Sequence, residues 1–166
     1  MTAETIYEWE SRLNALLPHY GHRNWIVAAD SAYPAQSRQG IETIVAEAEQ
    51  ITVVAAVRDA IAASRHARCN VYVDFELGFV EEKDAPGVSD YRVQLDKVLY
   101  GGHLHRLPHE QIIHKLDQSA QLFRILIIKT EMTIPYTSVF FELDCGYWNA
   151  EAEERLRQTI LQAGSS

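Results

Sequence analysis

Basic residues are scarce in this sequence, cysteine is rarer still, and no apolar run is long. Only 15 Lys and Arg stand against 23 Asp and Glu, a formal net charge of −8. Nucleic acid and anionic membrane surfaces both reward basic patches, so neither is an expected partner, whereas uncharged ligands remain compatible. Two cysteines, Cys69 and Cys145, are too few for a disulfide framework and fit a reducing cytoplasm. Cys145, beside Gly146 and Trp148, reads as a packed free thiol. The longest apolar runs, near 122–128 and 52–57, fall far short of the ~20 residues a membrane helix needs. No basic-then-apolar leader opens the chain, because residues 1–12 carry Glu4, Glu8 and Glu10. Repeats, low-complexity tracts and separating linkers are also lacking. A chain of 166 residues with 47% hydrophobic content is therefore expected to form one domain over 1–166.

What is present is an intermixture of helical and strand patterns. Ile6, Trp9, Leu13, Leu16 and Leu17 follow helical spacing and predict an amphipathic helix over 3–17, ended by Pro18 and Gly21. Trp25 to Ala29 reads as a buried strand, 31–40 as a loop and Ile41 to Val45 as a short strand. Glu49 through Ser64 predicts a helix. Asn70-Val-Tyr-Val-Asp-Phe-Glu-Leu77 alternates as a half-buried strand does. After a turn at 82–88, Asp90 to Tyr100 is expected to be helical and to end at Gly101-Gly102. Pro108 suits the first turn of a helix to about Ser119. Leu122 to Ile128 is apolar on both faces and belongs in the middle of a covered sheet. Ser138 to Leu143 predicts another strand, and Asn149 a cap for a final helix over 150–163. The fold class is thus α/β: a central, mostly parallel sheet covered by helices.

Several polar residues stand out against this frame. His22 follows Gly21 and precedes a strand, and imidazole is the side chain best suited to proton transfer near neutral pH. Asp30 stands at the carboxyl end of that strand, where open α/β sheets collect ligand groups. Eight residues of extended chain span about 26 Å at ~3.3 Å each. His22 and Asp30 therefore meet only if the turn folds back or if two subunits each supply one. Tyr136, in Pro135-Tyr-Thr-Ser138, offers a ring face and a hydrogen-bonding tip. Asp74 and Glu76 fall on one strand face, as an acid–base pair or, more simply, as an outward polar face. His103, His105, His109 and His114 form a histidine-rich stretch. No cysteine pair or His-Glu-x-x-His pattern accompanies it, and Pro108 interrupts the spacing, so no metal is expected.

Gly21-His-Arg-Asn-Trp-Ile-Val-Ala-Ala-Asp-Ser-Ala-Tyr-Pro34 resembles the opening motif of the D-ribose pyranase and L-fucose mutarotase family. Lys129-Thr-Glu-Met-Thr-Ile-Pro-Tyr-Thr-Ser138 resembles its closing motif. The likeness covers residues 20–34 and about 109–146. It implies small, cofactor-free α/β enzymes that interconvert cyclic forms of sugars. It further implies His22 as the acid/base, Asp30 as a sugar ligand, and His114, with His109 as the alternate, as the second histidine. Tyr136 would be the sugar-binding tyrosine. Closed rings, often decameric, with sites shared between neighbours, are implied as well. The family commonly places asparagine where Ser138 stands, and its glycine is replaced by Glu131. Thr137 and the Phe-Glu-Leu-Asp-Cys-Gly-Tyr-Trp ending also depart from it.

The expected function is therefore a monosaccharide mutarotase or pyranase in a homo-oligomer. His22, Asp30 and His114 would be catalytic, with His109, Tyr136 and Ser138 binding substrate. The alternatives are a sugar-binding protein without turnover, which Ser138 favours, and a metal-dependent hydrolase or isomerase built on His103, His105 and His109.

Overall fold

A computed structural model describes residues 8–165. The first helical turn expected from Ile6 lies outside the described residues. Helix α1 spans Glu8–Leu16 and continues into a 3-10 turn, Leu17–His19. Strand β1 (Trp25–Ala29), strand β2 (Ile41–Val45) and helix α2 (Gln50–Ala63) follow. Then come β3 (Ala67–Asp74), a second 3-10 turn (Phe75–Phe79), α3 (Val88–Val98) and β4 (Leu104–Leu107). Helix α4 (His109–Ala120), β5 (Ile125–Lys129), β6 (Val139–Cys145) and α5 (Ala150–Ala163) complete the order.

The six strands form one sheet in the order β2-β5-β1-β6-β3-β4. Pairs β1–β5, β2–β5 and β3–β4 are parallel, while β6 runs antiparallel between β1 and β3. The sheet is mixed and mostly parallel, with helices on both faces, as the sequence pattern predicts. Alternation along the strands sorts side chains to the two faces. Ile26, Ala28, Val71, Val73, Leu126 and Ile128 join buried residues of α1, α2 and α3 in one core. Trp25, Val27, Tyr72, Ile125, Ile127 and Phe140 join Ile112, Leu116 and Ala120 of α4 in the other. Strand β5 is buried on both faces, as its doubly apolar pattern requires. Leu122 instead lies exposed in the turn before it.

Strand β3 departs from expectation. The alternation of 70–77 predicts a half-buried strand, yet Val71, Tyr72, Val73 and Asp74 are all buried and the strand ends at Asp74. The strand lies inside the sheet with helices above and below, so both parities are covered. Phe75 to Phe79 turns away as a 3-10 helix, which removes Glu76 from the strand face. Helix α5 begins as expected: the Asn149 side chain accepts a hydrogen bond from the backbone N–H of Ala152 at 2.8 Å.

Candidate active site

Strands β1 and β3 both run antiparallel to β6, so they share a direction and end at the same edge of the sheet. Strand β6 starts at that edge, and α4 starts there as well after parallel β4. Four stretches of chain therefore deliver polar residues to one place. Asp30 follows β1, Asp74 ends β3, His109 opens α4, and Tyr136 and Ser138 precede β6. All five line a cavity of about 490 Å³, a size that suits a small-molecule site.

The internal bonds are specific. The Ser138 hydroxyl donates to Asp30 Oδ1 at 2.7 Å and accepts from the Asp30 backbone N–H at 3.1 Å. His109 Nδ1 lies 2.9 Å from Asp74 Oδ1. The backbone N–H of His109 donates to both oxygens of Glu76 at 3.0 Å, so Glu76 caps the first turn of α4. The His109 and Tyr136 rings meet edge to face at 5.9 Å. Tyr136 holds a left-handed backbone, φ +61°, a strained conformation for a bulky residue.

Buried polar groups hold that strained loop in place. The Gln50 amide donates to the carbonyls of Ala28 and Thr137, each at 2.9 Å. Its oxygen accepts from the Thr130 hydroxyl at 2.8 Å. The Tyr91 hydroxyl donates to the same Thr137 carbonyl at 2.7 Å. Nothing in the sequence marked Gln50 or Tyr91, since neither belongs to a motif and both act through backbone atoms of distant segments.

The cavity is acidic. Asp30, Asp74, Glu110 and Asp117 line it, and among the described residues no lysine or arginine does. Asp74 is only 2% exposed. Burial raises its pKa; the His109 hydrogen bond and charge pull it back, and Glu76 and Asp30 push it further up. Its Oδ2 is the one fully buried side-chain polar atom without a hydrogen-bond partner among the described residues. Tyr33 is raised as well, by burial first and then by the charges of Asp117, Asp74 and Asp30.

The structure thus unites Asp30, His109, Tyr136 and Ser138 and adds Asp74. His114 is not among them. Glu110, Ile113 and Asp117 put one face of α4 toward the cavity, and His114, a helical step round from Ile113, is exposed. His22 lies at the opposite end of β1, because the chain between it and Asp30 does not fold back. There His22 Nδ1 pairs with Asp144 Oδ1 at 2.9 Å, and Arg68 pairs with Asp144 Oδ2 at 3.2 Å. The histidine-rich stretch does not converge either. His105 stacks on Tyr72 at 5.1 Å while His109 turns to Asp74. No group of three potential metal ligands exists among the described residues.

Fold and cavity together define a class: a small α/β domain with a polar cavity at the carboxyl ends of its parallel strands. More particularly, the fold is that of the D-ribose pyranase and L-fucose mutarotase proteins. RbsD of Bacillus subtilis, solved in complex with D-ribose, superposes with a TM-score of 0.56 at 17% identity, over 81% of this chain and 92% of that one. FucU of Bifidobacterium longum gives 0.54 at 13% identity over 81% and 94%. The fucose mutarotase of Streptococcus pneumoniae, in complex with L-fucose, gives 0.51 at 16% identity over 85% and 94%. No family sequence model matches the chain, and no curated protein matches it by sequence.

Proposed function

We propose that this protein is a monosaccharide isomerase of the mutarotase or pyranase kind, working without a cofactor. One observation carries the reading. Asp30, His109, Tyr136 and Ser138, drawn from segments up to 108 residues apart, converge in one cavity. Neighbours of the same fold hold D-ribose and L-fucose, which supports a sugar as the ligand. Four lining carboxylates, with no lysine or arginine lining this chain's part of the cavity among the described residues, disfavour a phosphate and favour a neutral monosaccharide.

The chemistry asks little of the protein. The anomeric hydroxyl gives up its proton, the bond from C1 to the ring oxygen breaks, and the ring oxygen takes a proton to leave the open-chain aldehyde. Closing on the other face, or through another hydroxyl, gives the new cyclic form. General acid–base assistance of ~10²–10⁴-fold is ample for a reaction that already runs unaided. Asp30, Tyr136 and Ser138 hold hydroxyls, and His109 takes the second-histidine role in preference to His114. His22 transfers protons in the cavity of a neighbouring copy. Within one chain it stands about 26 Å of extended backbone from Asp30, and its side chain is 59% exposed. The working form is accordingly a closed homo-oligomer with shared sites, a decameric ring being the assembly that the family resemblance implies. The free thiols Cys69 and Cys145 fit a reducing cytoplasm.

A second reading, sugar binding without turnover, draws on Ser138. Its hydroxyl is engaged with Asp30 and stands where an asparagine amide is expected. Saturation-transfer NMR across a panel of aldoses separates the two. Faster exchange between cyclic forms of D-ribose, L-fucose or another neutral aldose, and none for ribose 5-phosphate, is the expected result. Calorimetric binding with no acceleration would establish the binder instead.

A further inference from the structure

One buried acid is still without a role. Asp74 sits at the end of β3 with one oxygen on His109 Nδ1 at 2.9 Å and the other without a partner. An unpaired oxygen of this kind is costly, and the fold has no need of it, since Glu76 already caps α4. Asp74 lines the cavity beside His109, with which its first oxygen is in contact.

We propose that Asp74 is the positioning residue for His109, fixing its proton on Nδ1 so that Nε2 serves as the base at the anomeric hydroxyl. The proposal rests on the isomerase reading and deepens it. In the forward step Nε2 takes the anomeric proton as the C1–ring oxygen bond breaks, and the anomeric oxygen becomes the aldehyde oxygen. The ring oxygen is protonated by the second acid, the partner's His22. Reclosure reverses both transfers, so no proton or electron is left over. The Asp74 carboxylate also makes the imidazolium that forms during the step less costly, because the counter-charge is already in contact.

Three variants decide it: D74N, H109Q and the double variant, with exchange of D-ribose and L-fucose followed by NMR and folding followed by thermal melts. D74N should lower kcat about 10²-fold while KM changes less than tenfold. Its melting temperature should equal or exceed the parent's, because a buried charge has been removed. The double variant should be no slower than H109Q alone, as required of a residue acting through another. Parental kcat in D74N overturns the proposal. Losses that multiply in the double variant also overturn it, since Asp74 would then act without His109. Should D74N fail to fold, and D74S with it, Asp74 is a structural residue and the proposal is wrong. The parent protein tests the underlying reading separately. A parent that exchanges no aldose refutes the isomerase reading and this proposal with it, whereas an active parent matched by D74N refutes only the role of Asp74.

Discussion

The two ends of β1 solve opposite problems with similar residues. At the amino end, His22, Asp144 and Arg68 make an exposed network beside a depression of about 710 Å³ that Tyr147 and Trp148 also line. Every charge there has a partner and water nearby, so the network costs the fold little and contributes little. At the carboxyl end the cavity is smaller, yet it holds a buried carboxylate with an unpaired oxygen. It also has a strained tyrosine and a buried glutamine and tyrosine that keep the strained loop in place. Size alone would pick the amino end. Unfavourable features that persist because their surroundings hold them are the better sign of function.

The strongest way to break this contrast is to show that the two ends meet in the assembly. His22→Ala should reduce exchange by 10² or more and leave the melting temperature unchanged. Tyr136→Phe should weaken binding through the loss of one hydroxyl contact. Co-assembly of the two variants should recover part of the activity, because some sites then receive both native residues from different chains. A particle of 18.9 kDa in light scattering would refute the shared site.

Asp30→Asn comes next. It neutralises a carboxylate proposed to hold a sugar hydroxyl and should cost about 1.5–3 kcal/mol of sugar affinity, the usual range for a charged hydrogen bond. Unchanged calorimetric affinity would move the sugar elsewhere.

The third test uses the left-handed residues, one at each end: Arg23 at φ +76° and Tyr136 at φ +61°. Glycine relieves about 1–2 kcal/mol of strain at such positions and costs part of it back in chain entropy. Both Arg23→Gly and Tyr136→Gly should therefore gain up to about 1 kcal/mol in denaturant titrations. Only Tyr136→Gly should lose sugar affinity.

The smallest expected effect is a pH signature of opposite sign at the two ends. The folded-state pKa of Asp74 is raised, chiefly by burial. Its contribution to stability is complete below the ordinary carboxylate range and is lost as pH rises through the folded value. For Asp144, burial raises the pKa, but the Cys145 backbone N–H, Arg68 and His22 together outweigh it and hold the pKa below the ordinary range. Its contribution is present above that range and lost as pH falls through the folded value. Melting curves against pH should lose their decline on the rising side in Asp74→Asn. In Asp144→Asn they should lose part of the decline on the acid side, an effect that salt screens because Asp144 is partly exposed.

Local pattern was legible where local physics decides. Trp25–Ala29 and Ile41–Val45 are strands at their expected bounds, Asn149 caps its helix, and the doubly apolar β5 is covered on both faces. What stayed hidden depends on strand order. Alternation in 70–77 gives a half-buried strand only if one face is open, and the placement of β3 between β6 and β4 closes both. Asp74 accordingly read as one of an outward pair with Glu76, when one is buried at the cavity and the other caps a helix. The choice between His109 and His114 likewise rests on where α4 begins relative to the end of β3, which no spacing along the chain encodes.

The central strand has a consequence for biosynthesis. Strand β1 is synthesised early, yet Trp25 pairs with Ile125 on one side and Glu142 on the other. At ~5–20 residues per second on the ribosome, the most apolar early segment waits roughly 5–20 s for its first partner strand and longer for its second. Closing such long loops is slow, and an unpaired strand edge invites association between nascent chains. Because Ser138 and Tyr136 arrive only with β6, the cavity is the last part of the sheet to be completed. Chains released before residue 138 would display Asp30 and His109 with half of their surroundings missing.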